Sequence, residues 1–276
     1  MIGIGTRDKY QTPLFWAVMN GYTKIVNLLL ETRKVKADKK DQFSRTLLSF
    51  ACEEGHISIV ETLLETRKVD PDSNATGVYN SGRTPLSFAA KKGHEEIGRQ
   101  LLSTGKVDAD SKATGSFNPG RTPLSYASEG KSEVLVKLLL DTAKVDVKSR
   151  SIGHYSAYDA PIVYIGHPRS PYIELDTAQP ITRGRTPLWW AANTSKSNLE
   201  IMRLLLEEGA EVDASFEDGR TPLSCVAENG DVSTTSLLLK YGAQTHISDS
   251  SSKLLIDYAR EAGNEAIVKL LQEAIS

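Results

Sequence analysis

The sequence predicts an all-α solenoid of about seven helix-turn-helix repeats, joined by extended finger loops and interrupted by one long ordered insertion. The first observation is a recurring hexapeptide: GRTPLS begins at Gly82, Gly120 and Gly219, and the variant GRTPLW begins at Gly184. The second is the spacing of the aligned threonines, which is 34, 38, 38, 64 and 35 residues between Thr12, Thr46, Thr84, Thr122, Thr186 and Thr221. Leu254 takes the same place 33 residues later. Periods of this length are typical of stacked arrays.

Each unit carries its own signals for starting and ending a first helix. In the third unit, the Thr84 hydroxyl can accept a hydrogen bond from a backbone N–H, and Pro85 suits the first helical position. Gly93 predicts the end of this helix, because glycine adopts the left-handed conformation without strain. A second helix is predicted from about Glu95, with its apolar residues on one face. Since one such helix pair cannot bury its apolar face alone, the units must stack.

The repeated unit has a recognisable family pattern. Residues 83–110, RTPLSFAAKKGHEEIGRQLLSTGKVDAD, resemble an ankyrin repeat in the Thr-Pro-Leu start, the alanine pair and the Gly-His turn. The resemblance extends from about Thr12 to the C-terminus except for one segment. Serine replaces the histidine common after Thr-Pro-Leu, and GKVDADSK replaces the usual Gly-Ala-Asp ending. Both features resemble the ankyrin arrays of filamentous fungi, often found at the C-termini of fungal NOD-like receptors. The resemblance implies a protein-binding module.

We predict a single ankyrin-repeat domain over residues 1–276. The predicted repeats are residues 10–43, 44–81, 82–119, 120–147, 184–218, 219–251 and 252–276, and an insertion at 148–183 separates the fourth from the fifth. The seventh unit lacks the Thr-Pro start and resembles a capping repeat, with these polar residues expected on its outer surface: Arg260, Glu261, Lys269, Gln272 and Glu273.

The insertion at residues 148–183 is the largest departure from the repeat. Its four prolines exclude a continuous helix, whereas its tyrosines and isoleucines are typical of an ordered loop. We expect it to fold over the concave groove between units four and five. His154, Asp159 and His167 could serve as acid or base, but no spacing matches a known catalytic or metal-binding motif. Ordinary loop polarity is therefore favoured, and no enzyme activity, metal or cofactor is predicted.

The fingers and the groove supply the candidate binding residues. The three longest fingers each carry Gly-x-aromatic, which favours either a ligand-binding platform or rings that pack on the next finger. The resemblance to ankyrin repeats implies further ligand-facing positions after each alanine pair, where charge alternates between acidic and basic along the array. The predicted binding residues are Tyr79, Lys91, Lys92, Phe117, Tyr155, Tyr158, Asp159, Tyr164, His167 and Trp189.

Composition limits the class of partner. With a net charge of -2, the chain has no basic excess for nucleic acid, and no apolar run of about 18 residues indicates a membrane span. The start lacks a signal-peptide pattern, and two distant cysteines form no disulfide framework. We therefore expect a cytoplasmic, intracellular protein that binds another protein. The alternative is a pocket formed by the insertion and Trp189, which would hold a small hydrophobic molecule or make the chain an unusual enzyme.

Overall fold

The computed structural model describes residues 12–76, 82–114, 119–151, 184–194, 198–216 and 218–275. Within these ranges it contains 14 α-helices, arranged as seven consecutive pairs, and no β-strand. The first helices of the pairs are α1 (Pro13–Met19), α3 (Leu47–Glu54), α5 (Pro85–Lys92), α7 (Pro123–Glu129), α9 (Pro187–Ala192), α11 (Pro222–Asn229) and α13 (Leu255–Glu261). The second helices are α2 (Thr23–Glu31), α4 (Ile57–Glu65), α6 (Glu95–Ser103), α8 (Glu133–Leu140), α10 (Leu199–Glu207), α12 (Val232–Lys240) and α14 (Glu265–Ile275).

The helices form two layers. Each first helix contacts the first helix of the next unit, each second helix contacts the next second helix, and the two helices of a pair contact each other. The core lies between the layers and runs the length of the stack, with its apolar side chains continuous from unit one to unit seven. The predicted all-α solenoid is thus confirmed.

The capping threonines start the first helices as predicted. Thr84 Oγ1 accepts a hydrogen bond from the backbone N–H of Ser87 at 3.3 Å, and Pro85 occupies the first turn. Gly93 ends the helix with φ +75°, a conformation that side chains rarely adopt. In the seventh unit, where Leu254 has no hydroxyl, Asp257 instead accepts from the backbone N–H of Leu254 at 3.1 Å.

Side chains at the start of the second helices link neighbouring units. His94 Nε2 lies 3.1 Å from the Glu53 carbonyl oxygen of the preceding unit, and His56 Nε2 makes the same type of contact to Met19 at 3.4 Å. In the last unit, Asn264 Nδ2 donates to the Ala227 carbonyl at 2.8 Å. These contacts fix the register of one helix pair on the previous pair.

The fingers close by short backbone pairings at their bases. The Ala75 N–H donates to the Arg83 carbonyl at 3.0 Å, and the Gly82 N–H donates back to Ala75 at 2.7 Å. Gly82 has φ +73°, and a Cβ atom there would lie 2.5 Å from the backbone nitrogen of Thr114 in the next finger. Glycine is therefore required at the start of the hexapeptide, both for its conformation and for the close approach of the neighbouring backbone.

The last unit presents a polar end to solvent. All five residues predicted for the outer surface of a cap are exposed: Arg260, Glu261, Lys269, Gln272 and Glu273. This confirms the prediction for the C-terminal cap.

Candidate protein-binding surface

An arginine lies immediately before the capping threonine in units two to six, and its side chain packs among aromatic rings. The Arg83 guanidinium carbon is 4.1 Å from the ring centroid of Phe88 in its own unit and 4.7 Å from that of Tyr126 in the next. Arg121 repeats the arrangement, 4.0 Å from Tyr126 and 3.7 Å from Trp190. At these distances a cation is attracted to the face of each ring.

This arginine-aromatic column continues on both sides. Arg45 lies 3.7 Å from the Phe50 ring and 5.1 Å from the Phe88 ring. In unit six Cys225 occupies the ring position, and Arg220 lies 4.8 Å from the ring of Tyr258 in the next unit. The column therefore links the first helices of successive units. The ends of its arginine side chains lie along one edge of the stack.

In most units a carboxylate stands eight residues after this basic residue and forms an ion pair with it. Arg45 pairs with Glu53 at 2.5 Å, Arg121 pairs with Glu129 at 2.8 Å, and Arg220 pairs with Glu228. In unit seven Lys253 takes the place of the arginine and pairs with Glu261 at 2.5 Å. In units two, four, six and seven this position, in the last turn of the first helix, thus carries a negative charge that is paired within the unit.

In unit three the position of the carboxylate is occupied by a positively charged residue. Eight residues after Arg83 stands Lys91, which is exposed and is followed by the exposed Lys92. Partial burial is the largest cause that lowers the pKa of Lys91, and the positive charge of Arg83 adds to it, while Glu129 of the neighbouring unit acts in the opposite sense. A cationic position therefore lies between the acidic positions of units two and four. Unit five also lacks the carboxylate, since Asn193 stands there.

The structure describes three of the ten predicted binding residues. Lys91 and Lys92 lie together on the exposed end of α5, as expected, whereas Trp189 is buried with 4% of its surface exposed. The remaining seven, with His154, lie outside the described residues: Tyr79, Phe117, Tyr155, Tyr158, Asp159, Tyr164 and His167. Their roles stay predictions, and so does the expected folding of residues 152–183 of the insertion over the groove.

The two tryptophans of unit five differ in how they are held. Trp190 occupies the aromatic position of the column and donates its indole N–H to Ser151 Oγ at 3.0 Å. Trp189 stands where units two, three, four and six have serine, with its ring edge-on to Trp190 and 5.9 Å from the Phe216 ring. Within the described part of the chain, the buried Nε1 of Trp189 has no hydrogen-bond acceptor. Among the described residues, Trp189 Nε1 is the indole donor that is buried without an acceptor, in contrast to Trp190 Nε1.

Other chemistry is limited where the chain is described. There, no group of three or more histidine, cysteine, aspartate or glutamate side chains is arranged to hold a metal ion. Burial raises the pKa of Cys225 to about 11 and also raises the pKa of the Cys52 thiol, so neither is a thiolate near neutral pH. No helix of the described ranges combines the length and apolarity needed to cross a bilayer.

The repeat geometry agrees with a known family. The family model for ankyrin repeats, in three copies, matches residues 2–75, 67–151 and 188–275. The chain belongs to the ankyrin-repeat family. Ankyrin repeats are a general protein-protein interaction module, which agrees with the coarse functional prediction from the sequence.

Curated relatives share only part of this ankyrin-repeat chain. Human ankyrin repeat domain-containing protein 63 is 34% identical over 91 residues, or 32% of this chain and 24% of that protein. The putative E3 ubiquitin-protein ligase XBAT34 of Arabidopsis thaliana is 36% identical over 33% of this chain and 25% of its own length. Human ARF GTPase-activating protein GIT2 is 39% identical over 28% of this chain and 10% of its length. These relatives come from animals and a plant, so the resemblance to fungal arrays stays a prediction.

A solved ankyrin array supports the fold over nearly the whole chain. The ankyrin repeat domain of human ASB11 superposes with a TM-score of 0.71 and covers 95% of this chain and 98% of its own. At 21% sequence identity, this likeness establishes the architecture alone.

Sequence reasoning missed the arginine-aromatic column. It assigned the hexapeptide the role of starting a helix and gave the arginine no part. The signal was present, because arginine precedes the threonine in five units and an aromatic residue follows four positions after the threonine in most of them. Their proximity depends on how neighbouring units stack, which the periodicity alone does not specify.

Proposed function

We propose that this ankyrin-repeat domain binds a partner protein through its concave groove, and that Lys91 and Lys92 receive an acidic group of the partner. The observation that carries the proposal is the charge reversal in unit three. Units two and four share its arginine, its capping threonine and its aromatic ring, but each has glutamate where unit three has Lys91. Because packing tolerates either residue at this exposed position, the lysine is better explained by recognition than by stability.

Charge along the edge of the stack defines the complementary partner. Glu53 and Glu129 flank the lysines and are each paired with an arginine of their own unit, which reduces their capacity to neutralise Lys91. A partner segment with an acidic centre and basic flanks would match this pattern.

The predicted finger and insertion residues extend this proposal. Tyr79, Phe117 and Tyr155 would provide aromatic contact area beside the lysines, and Tyr158, Asp159, Tyr164 and His167 of the insertion would cover the partner from above. In this arrangement the chain has no catalysis of its own, and it works in the cytoplasm.

The test uses a displayed library of random peptides selected against the intact chain. Wild-type protein is expected to enrich peptides with acidic centres, and Lys91→Glu with Lys92→Glu should weaken their binding by about tenfold or more. The matched control is Lys68→Glu with Lys106→Glu, which makes the same charge change at exposed positions in the segments that follow α4 and α6. Equal loss in both double variants, or unchanged binding in the first, would refute the assigned site.

A separate variant tests the insertion. Replacing residues 152–183 by a short turn keeps Ser151 as the acceptor of the Trp190 indole N–H, and should weaken binding of the selected peptides without unfolding the stack. If the shortened protein stays folded and binds equally well, the insertion takes no part in recognition.

A second candidate function rests on Trp189. Its buried indole N–H without an acceptor, among the described residues, is the type of donor that a ligand in a pocket could satisfy. The alternative is therefore a small hydrophobic molecule with one acceptor group, held between Trp189 and the insertion, with His154, Asp159 or His167 as possible acid or base. Saturable quenching of tryptophan fluorescence by such molecules, lost in Trp189→Phe, would favour this function over peptide binding.

A further inference from the structure

The first unit of the array has an unusual exposed face. Four large side chains of α1, α2 and the turn between them are exposed, with exposed fractions of 54% for Trp16, 55% for Tyr22, 47% for Ile25 and 63% for Leu28. We call these four residues the N-terminal face. It lies at the end of the stack opposite unit seven, whose large exposed side chains are charged or amide groups except for Leu254 at 42%.

Positions equivalent to Ile25 and Trp16 are buried in all six other units. Ile25 corresponds to residues with no exposed surface: Ile59, Ile97, Leu135, Ile201, Thr234 and Ile267. Trp16 corresponds to residues that are at most 8% exposed: Phe50, Phe88, Tyr126, Trp190, Cys225 and Tyr258. In those units the preceding helix pair supplies the cover. Unit one therefore carries the chemistry of an interior unit, although the described residues, which begin at Thr12, include no helix pair before it.

Tyr22 also stands at a position that contacts the preceding unit elsewhere in the stack. Its equivalents His56 and His94 reach back to carbonyl oxygens of the preceding unit, at 3.4 Å and 3.1 Å, and Asn264 does so at 2.8 Å. The Tyr22 hydroxyl is a donor of the same kind and lies on the exposed face.

The arginine-aromatic column predicts one residue of a helix pair that would cover the N-terminal face. In units three, four, five and seven the aromatic ring lies under an arginine of the preceding unit: Arg45 above Phe88 at 5.1 Å, Arg83 above Tyr126 at 4.7 Å, Arg121 above Trp190 at 3.7 Å and Arg220 above Tyr258 at 4.8 Å. Trp16 is the ring of unit one, and tryptophan is the strongest aromatic acceptor of a cation. A covering helix pair would place an arginine there.

We propose that the N-terminal face binds a helix pair of a partner protein, which stacks as an additional repeat and presents an arginine to Trp16. The interaction continues the stacking interface already present between units one and two. It is separate from the groove and does not depend on the function proposed for Lys91 and Lys92. A second copy of this chain is a poorer occupant in head-to-tail stacking, because the large exposed side chains of unit seven, apart from Leu254, are charged or amide groups.

The experiment supplies such a helix pair by tethering, since an isolated pair of this size does not fold alone. A copy of residues 44–82 replaces residues 1–10 and is joined to Gln11, which reproduces the 38-residue spacing between Thr46 and Thr84. Two readouts are used: the melting temperature and the quenching of tryptophan fluorescence by iodide. The quenching reports mainly on Trp16, because Trp189 and Trp190 are buried.

The fused copy is expected to raise the melting temperature by several degrees and to reduce iodide quenching several-fold. Arg45→Ala within the copy should lose part of both effects. Ile25→Lys in unit one is the matched control, because Ile25 is exposed in the unfused chain, which should therefore keep its fold and its melting temperature. In the fused protein, Ile25→Lys should abolish both gains.

Two outcomes would overturn the proposal. The first is a fused copy that leaves both readouts at the values of the unfused chain. The second is a concentration-dependent dimer of the unfused chain, measured by sedimentation, that Ile25→Lys dissociates, since the face would then be occupied by a second copy.

Discussion

Units three and four are nearly the same structure, and they differ at one charged position. Both begin with GRTPLS, both are capped by threonine, and both place an arginine between two aromatic rings. In unit four Arg121 pairs with Glu129, whereas in unit three the corresponding residue is Lys91. The comparison separates two roles in one repeat: the buried arginine belongs to stacking, while the exposed end of the helix is available for recognition.

The largest expected effect concerns the stacking role. Arg121 is buried between Tyr126 and Trp190 and donates to the Ser125 carbonyl at 3.1 Å as well as to Glu129. Arg121→Ala should reduce the free energy of unfolding by about 3 kcal/mol, because it empties a buried position and leaves its partners unmatched. Urea unfolding measures the loss.

Arg99→Ala is the control, since Arg99 is an exposed arginine whose substitution should change stability by less than about 0.5 kcal/mol. If both variants lose the same amount, the arginine-aromatic column does not stabilise the stack.

A smaller effect distinguishes the helix starts of the two units. In unit four, Ser125 Oγ accepts from the Thr122 backbone N–H at 3.1 Å and so completes a capping box, whereas Ser87 of unit three is placed 3.2 Å from the Thr84 hydroxyl. Ser125→Ala should lower the free energy of unfolding by about 1 kcal/mol. Ser87→Ala should lower it by less, and a reversed order in thermal unfolding would contradict this account.

The smallest effect converts unit three to the charge of unit four. Lys91→Glu should create a pair with Arg83 like that of Arg121 with Glu129, and raise stability by about 0.5 kcal/mol. Because the pair would be partly exposed, the gain should decrease as salt is added. Denaturant titrations at low and high salt measure it. If the variant is more stable and also loses peptide binding, the wild-type lysine serves recognition at a cost in stability. If the variant is less stable, the predicted pair with Arg83 does not form.

Much of the fold could be predicted from the sequence, because its signals act over short distances. A threonine hydroxyl caps a backbone N–H three residues away, a proline sets the first turn, and a glycine such as Gly93 ends the helix. The repeat period then requires stacking, and the exposed polar residues of unit seven follow from the end of that stack. Of the candidate site, Lys91 and Lys92 could be placed on the exposed end of α5 because their position relative to the alanine pair is local.

Other features were decided only by the tertiary structure. Arg121 and Trp190 are distant in the chain and meet because the helices of units four and five stack, and the burial of Trp189 depends on the same packing. The N-terminal face likewise depends on packing, because the equivalents of Trp16 and Ile25 in the other units are buried. Local sequence determines where each helix begins and ends, since capping requires only adjacent atoms. Contacts between units decide which side chains pack between two units, which form ion pairs or hydrogen bonds, and which stay exposed for a partner.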